Sequence, residues 1–588
     1  YVRLKQLSPS ERPTGRMVAL VGDAELDEGN IFEALLEGWK HDVRNLWWVI
    51  DYNRQSLDGV VNDRLFGRIG EMFELVGWRV VTLKYGKLLE TAFAQPDGDQ
   101  LRQWIDDCPN SLYSALVFKG GAGWREALTR DLNQYPGIRR ILDQHDDEAL
   151  HRLMTNLAGN DMQAVVDAFE GVNDDTPTCF IAYTIKGQGL PFAGHKDNHS
   201  GLMTLEQMAQ FKKGMGIADG AEWDKFAGLG ATAPELEAFL KQAPFNQAGR
   251  RRTEAPAVTI PAALPAPKDR DSSTQAGFGK ILNAIAGEDS ELARRIVTTS
   301  PDVSVSTNLG AWINRRGLFG HTEAEDVFRE LKVVSAQLWR KTPRGQHIEL
   351  GIAENNLFIQ LAALGLSHEL FGTRLLPIGT LYDPFIARGL DALNYACYQD
   401  ARFMVVATPS GLTLAPEGGA HQSISTPLIG MAQDGLASFE PAYVDELVEI
   451  DRQEIHAGLL QLADRALGEL AVLLNNHFAG LRIHNIFFGA LARENIEINH
   501  FVDLTVLIQN DSLVTVEVAK NLLNRHAHRT QNDTRRKLAL TVNACVHNIL
   551  VVEFKIQPRT TMRDDASRIQ NLAARMALAL IVIENNTG

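Results

Sequence analysis

The chain has 588 residues, 45% of them hydrophobic and 22% charged, with a formal net charge of −15 at pH 7. That length predicts about three or four domains, and the acidic balance argues against a general binder of nucleic acid or of anionic membrane surfaces. No run of about 18 apolar residues suits a membrane span. The four cysteines, Cys108, Cys179, Cys397 and Cys545, lack metal-ligand spacing and read as reduced thiols of a cytoplasmic protein.

The chain opens at Tyr1 with no secretory-leader pattern. A doubly wound domain normally carries more sheet before its first ligand-bearing strand, so an N-terminal portion is expected to precede this one. MVALVG (Met17–Gly22) reads as a buried parallel strand, with Asp23 at its end. Asp27, Glu28 and Gly29 open a helix with Ile31, Phe32, Leu35 and Leu36 on one face. Leu46–Ile50 is the next buried strand, and Asp51, Tyr52 and Asn53 lie at its carboxyl end, where open α/β sheets bind ligands. A strand–helix–strand unit brings Asp23 and Asn53 side by side. With the backbone carbonyl of Gln55 they form a set of hard oxygens suited to Mg²⁺, and the helix opening at Asp27 aims free N–H groups at the same mouth. The same residues also suit a helix cap and a turn.

Phe66–Val76 is amphipathic, Trp78–Leu83 reads as a strand, and so does Leu112–Phe118 ahead of a glycine turn at Gly120–Gly123. Residues 123–169 read as a charged, solvated helical insertion. Thr176–Ile185 is a buried strand feeding Lys186, Gly187, Gly189, His195, Asn198 and His199, either an active-site loop or a surface loop that carries histidines. Met203–Met215 is helical. A Pro/Ala-rich linker with an arginine triplet at 250–252 follows. A second α/β unit starts near Ser273, with a helix at Phe278–Ala286, a strand at Arg295–Thr299 ending in Ser300-Pro301-Asp302-Val303, and a loop at Asn308–Phe319. The strand ending at Leu350 turns through Gly351 into an apolar helix, Leu357–Leu364. Glu354 sits in its first turn, as a partner of the helix dipole or as a functional acid. Leu375–Leu381 is a strand, followed by Tyr382, Phe385 and a helix start at Arg388–Asp391. The strand Arg402–Ala407 leads to a glycine-rich loop presenting Glu417 and His421 as acid/base candidates. Between 481 and 587 the only glycine and proline are Gly489 and Pro558. There Ile486–Phe488, Leu504–Ile508, Val514–Val518 and Ile549–Phe554 read as strands and Ala566–Ile581 as a helix.

GDAELDEGN followed by DYNRQSLDG resembles the thiamine diphosphate (ThDP) motif. More narrowly it resembles the homodimeric E1 component of pyruvate dehydrogenase, whose Asn-x-Gln-x-Leu-Asp-Gly stands here as Asn53–Gly59. The resemblance covers roughly residues 10–450 and implies an α/β fold of tandem doubly wound, transketolase-like ThDP-binding domains with a C-terminal α/β domain. The expected domains are 1–245 (diphosphate and Mg²⁺), 246–272 (linker), 273–455 (pyrimidine) and 456–588. ThDP and Mg²⁺ are the implied cofactors. Gly22, Asp23, Ala24, Glu25, Asn53, Gln55 and Lys186 are implied at the diphosphate end, with Asp23, Asn53 and Gln55 on the metal.

Gly-Ile-x-Glu at Gly351–Glu354 matches the acid that hydrogen-bonds the aminopyrimidine, and Phe385 or Tyr382 falls near its aromatic neighbour. A protonated, poorly solvated Glu354 would favour the tautomer through which the cofactor activates itself. His421 corresponds to the substrate-facing histidine, and His199 or His195 to the loop histidine of reductive acylation. Ala24 replaces a glycine of the motif and Val303 an acid, and His199 directly follows Asn198 where the family has two residues between. The implied activity is oxidative decarboxylation of pyruvate or 2-oxobutyrate, with the acyl group passed to the lipoyl arm of an E2 acyltransferase by a homodimer with shared sites, away from membrane and nucleic acid. Transketolase-like ketol transfer and a catalytically silent scaffold are the other readings.

Overall fold

The computed structural model describes residues 1–7, 15–57, 59–247, 253–268, 272–413, 415–433 and 435–459, and beyond these three strands between 515 and 555. The chain divides into two compact units, Tyr1–Gln461 and Leu462–Gly588.

The first unit holds two sheets. In the first, β1 (Met17–Gly22), β2 (Leu46–Tyr52), β3 (Arg79–Leu83) and β4 (Thr178–Tyr183) lie in the order β1-β2-β4-β3, all parallel. The central β4, TCFIAY, is buried at every position, as a strand between two neighbours and covered on both faces must be. β1 is not the buried strand its composition suggests. It stands at the sheet edge, with a neighbour on one side only, and leaves Met17, Val18 and Leu20 exposed. The helix that follows runs Gly29–Lys40 and starts later than Asp27, because a 3-10 turn, Asp23–Asp27, comes first. Of its four expected core residues only Leu35 is buried, whereas Phe32 and Leu36 are exposed and Glu37 is buried instead.

Leu112–Phe118 is a helix, Asn110–Lys119, rather than a strand. Its buried apolar residues are Tyr113, Leu116 and Val117, three and four apart, which a helix face gathers and a strand would scatter. Gly120 at φ +78° ends it, and the next helix, Gly121–Leu132, begins at once. The helices of residues 121–170 are no solvated insertion: Trp124, Leu128, Ile138, Ile141, Leu150 and Met154 are buried in the same core as Ile50 and Phe73 of the sheet layer.

Residues 253–268 form no regular element, yet they are strapped down. Val258 and Leu264 enter the second core, and the Thr253 N–H donates to the Glu369 carbonyl at 2.7 Å. The arginines at 250–252 lie outside the described residues. The second sheet is β5 (Ile296–Pro301), β6 (Leu318–Phe319), β7 (Lys341–Thr342), β8 (His347–Leu350), β9 (Leu376–Leu381) and β10 (Met404–Ala407), ordered β10-β9-β5-β8-β6-β7 and again all parallel. The helix Glu354–Gly365 lies against it through Leu357, Phe358 and Leu361, all buried. The expected loop at Asn308–Phe319 is a short helix, Gly310–Arg316, followed by β6, because Trp312 and Ile313 anchor it in the second core.

In the second unit, β11 (Thr515–Val516), β12 (Ala539–Cys545) and β13 (Ile549–Lys555) form an antiparallel sheet. β13 and β11 fall on expected strands. The expected strands Ile486–Phe488 and Leu504–Ile508 and the helix Ala566–Ile581 lie outside the described residues. Among the described residues no helix is long and apolar enough to cross a membrane.

Candidate active site

At the carboxyl ends of β1, β2 and β4, Asp23 is 2% exposed and its Oδ2 accepts the Arg54 N–H at 2.7 Å. Arg54 takes the left-handed conformation, φ +66°, in the turn after Asn53, a strained choice for a residue with a Cβ. Asn53 Oδ1 accepts the Gln55 N–H at 3.0 Å, while its Nδ2 donates to Asp51 Oδ2 at 3.3 Å. The Thr184 hydroxyl donates to the other oxygen of Asp51. Gln55 Nε2 donates to the Gly194 carbonyl at 2.9 Å, and its Oε1 is buried without a hydrogen-bond partner. Lys186 Nζ donates to the Ser56 carbonyl at 2.8 Å, and Asn198 Nδ2 donates to the Lys186 carbonyl at 2.6 Å. The structure thus gathers Asp23, Asn53, Gln55 and Lys186, together with Asp51 and Asn198 of the same strand end and loop, and with Thr184 as an unforeseen member. Beside them the Gly22 N–H donates to Glu25 Oε2 at 3.0 Å, across Ala24 in the 3-10 turn. His195 packs against Phe118, ring centroids 4.6 Å apart, and its Nδ1 accepts the Asp197 N–H at 3.1 Å, whereas His199 on the same loop is exposed.

Burial pushes the Asp23 carboxyl up to about 6. The N–H groups of Arg54 and Ala24 work against that, the Asp51 charge adds to it, and Lys186 is the weakest of these influences. A buried carboxylate held mainly by N–H groups fits a bound cation, which would supply the missing positive charge. No group of three or more His, Cys, Asp or Glu is placed for a metal among the described residues. The set expected here is different in kind: one carboxylate, one amide oxygen and one backbone carbonyl, a hard-oxygen combination that suits Mg²⁺ rather than a soft metal.

The second cluster stands at the mouth of the second sheet. Glu354 begins its helix and is 4% exposed. Both of its oxygens lie 3.2 Å from Arg388 Nη1. The Arg388 guanidinium carbon is 4.5 Å from the centroid of the Phe385 ring. The His421 ring stands edge-on to Phe385 at 5.4 Å and to Tyr382 at 5.9 Å, and Glu417 is 3.8 Å from His421 Nε2. Glu354, Phe385, Tyr382 and His421 are therefore brought together from three separate segments. Val303 supplies no acid, but its neighbour Ser304 donates to Glu349 Oε2 at 2.6 Å, and that oxygen is also 2.6 Å from His347 Nε2.

Two features escaped the sequence. Glu33 Oε1 accepts the Asn356 N–H at 3.0 Å, and Glu37 Oε1 accepts the Gly351 N–H at 3.2 Å, so the first sheet's helix caps the turn and helix that carry Glu354. Burial, with the nearby charges of Glu354 and Glu37, pushes the Glu33 carboxyl up. The four-residue spacing of the two acids was the available signal. Arg388 was legible only as a helix start.

The pyruvate dehydrogenase E1 component middle domain matches residues 257–476. The pyruvate dehydrogenase E1 component of Corynebacterium glutamicum is 25% identical over 481 residues, 77% of this chain and 50% of that protein. That of Escherichia coli K12 is 23% identical over 500 residues, 80% of this chain and 53% of the relative. The chain thus spans about half the length of the curated relatives it matches. A crystal structure of transketolase from Campylobacter jejuni aligns with 77% of this chain and 57% of its own, at 17% identity and a TM-score of 0.44. Residues 257–476 thus match the pyruvate dehydrogenase E1 component middle domain, and about three quarters of the chain is similar to pyruvate dehydrogenase E1 components.

Proposed function

We propose that this chain acts as the ThDP- and Mg²⁺-dependent E1 component of a 2-oxo acid dehydrogenase complex, with pyruvate or a close short-chain 2-oxo acid such as 2-oxobutyrate as substrate. The observation that carries the proposal is the pairing of two strand mouths. One presents the buried Asp23 carboxylate with Asn53 and Gln55 beside it. The other presents the buried Glu354 with an aromatic ring and a histidine beside it.

In this reading Asp23, Asn53 and the Gln55 carbonyl hold Mg²⁺, while Gly22, Ala24, Glu25 and Lys186 border the diphosphate. Glu354 and Phe385 would hold the aminopyrimidine, the one by its carboxyl and the other by its ring. When bound, ThDP supplies the electron sink for decarboxylation. The protein's own part would be to exclude water and fix orientation, with the Glu354 carboxyl toward the ring and His421 as the acid/base group beside the substrate. His195 and His199, on the loop after β4, are the candidates for the later acyl transfer. Residues 1–245 would serve as the diphosphate domain, 246–272 as linker, 273–455 as the pyrimidine domain and 456–588 as a third domain. The working form would be a cytoplasmic homodimer in which the first domain of one subunit meets the second domain of the other, passing its acyl group to a lipoyl-bearing E2 acyltransferase.

The test is decarboxylation of pyruvate and of 2-oxobutyrate with an artificial electron acceptor, alongside calorimetry with ThDP and Mg²⁺. Mg²⁺-dependent binding with turnover of a 2-oxo acid is the expected result. Turnover only with ribose 5-phosphate as acceptor would favour ketol transfer, and absence of Mg²⁺-dependent binding would sink the proposal.

A further inference from the structure

The geometry points to Arg388 as an internal stand-in for the aminopyrimidine: its guanidinium takes both contacts that the proposed function gives to that ring, and has to swing clear before the cofactor seats. This inference rests on the assignment of Glu354 and Phe385 above.

Three observations carry it. Arg388 Nη1 lies 3.2 Å from each oxygen of Glu354, and the guanidinium carbon is 4.5 Å from the Phe385 ring centroid. A guanidinium and an aminopyrimidine share the property such a seat reads: a planar edge of nitrogens for a carboxyl, and a flat face for an aromatic ring. Phe385 and Arg388 are three residues apart in the 3-10 segment Asp383–Gly389, where side chains at that spacing eclipse one another, so the stacking arises within one short element. The Glu354 carboxyl is buried while the Arg388 side chain is 52% exposed. The acid is therefore fixed, and the cation has an open route to water. Cofactor binding becomes an exchange of one planar partner of Glu354 for another, and the ion pair lowers the apparent affinity for the incoming ring.

The experiment is calorimetric titration of the full chain with ThDP in the presence of Mg²⁺, for wild type, Arg388→Met, Arg388→Lys, Glu354→Gln and the double variant Arg388→Met/Glu354→Gln. Arg388→Met is expected to tighten binding about twofold to fivefold, the worth of a half-exposed ion pair. Arg388→Lys keeps the charge but loses the planar face and should tighten it less. Glu354→Gln should weaken binding, and Arg388→Met should gain nothing on that background. Wild-type binding that Glu354→Gln weakens, with Arg388→Met unchanged or weaker, overturns the stand-in while leaving the proposed function intact. Failure of both wild type and Arg388→Met to bind overturns both. If Arg388→Met does not fold, Arg388→Lys decides: affinity equal to or below wild type sinks the inference.

Discussion

Asp23 is the residue at which the two descriptions of this protein pull in opposite directions. In the isolated chain it is a buried carboxyl at about 6, against an ordinary value of 3.8. The folded state therefore keeps its proton over a range in which the unfolded state has released it. The resulting stabilisation is fully present below about pH 4 and is lost as pH rises through about 6. Above that point the ionised group costs the metal-free fold on the order of 2–3 kcal/mol. Asp23→Asn removes the charge while keeping an oxygen for the Arg54 N–H. It should raise the melting temperature of the metal-free protein at pH 8, leave it nearly unchanged at pH 4, and abolish Mg²⁺-dependent ThDP binding. A variant that binds ThDP normally would remove Asp23 from the metal site. The same titration predicts that Mg²⁺-dependent binding by wild type weakens about fivefold from pH 6 to pH 5, as a proton competes with the cation. Calorimetry in buffers of different ionisation enthalpy would detect the released proton. At this scale the sequence was informative where chemistry is carried by one residue in a compact motif: Asp23 accepts the N–H of Arg54, the residue next to Asn53, as a strand–helix–strand unit allows. It was silent on Arg388, whose partner lies 34 residues away and whose ring contact depends on a 3-10 turn that no periodicity announces.

Elements show the same division between local pattern and tertiary context. β4 and the helix beginning at Glu354 were readable because a continuous apolar run and a 3.6-residue apolar stripe have few other folds open to them. Leu112–Phe118 was misread since a short apolar run is ambiguous by itself, and the packing of Tyr113 and Val117 on Trp124 and its neighbours decides in favour of a helix. β1 was misjudged for the opposite reason: composition says apolar, but only topology says edge. The element that most constrains the site is the Asp383–Gly389 segment, which crosses the helix of Glu354. A Cβ on Gly389 would collide with the Phe358 ring and lie 2.8 Å from the Glu354 carbonyl oxygen. Gly389→Ala should therefore cost about 1–3 kcal/mol, and it should also weaken ThDP binding, because relief of the clash moves the Phe385 ring out of place relative to Glu354. A stability loss with unchanged cofactor affinity would show that the crossing is structural alone.

Across the first unit, the two parallel sheets are tied by a feature that neither domain's own pattern reveals. The helix Gly29–Lys40 follows the Asp23–Asp27 turn of the first sheet, and its Glu33 and Glu37 accept N–H groups from Asn356 and Gly351 of the second. These N–H groups belong to the first turn of a helix and the turn before it, which have no partner within the helix. The carboxylates satisfy them where the helix dipole favours negative charge. Glu33 also faces Glu354 and Glu37, and burial together with those charges raises its proton affinity. Its contribution is thus two opposed terms: a cap that stabilises at every pH, and a crowded charge that destabilises once the carboxyl ionises. Two substitutions separate them. Glu33→Gln keeps an oxygen for the Asn356 N–H and removes the charge, so its melting temperature at pH 8 should equal or exceed that of wild type. Glu33→Ala removes the cap and should melt about 1–3 °C below wild type. Lowering the pH toward the carboxylate range should narrow the gap between wild type and Glu33→Gln, because burial makes the native carboxyl take up its proton sooner than an ordinary glutamate. The gap to Glu33→Ala should persist, since the protonated acid still accepts the N–H. If Glu33→Gln and Glu33→Ala melt together at both pH values, the Asn356 bond is contributing nothing, and the link between the sheets has to be sought in Glu37 and its pairing with Lys40 at 2.7 Å.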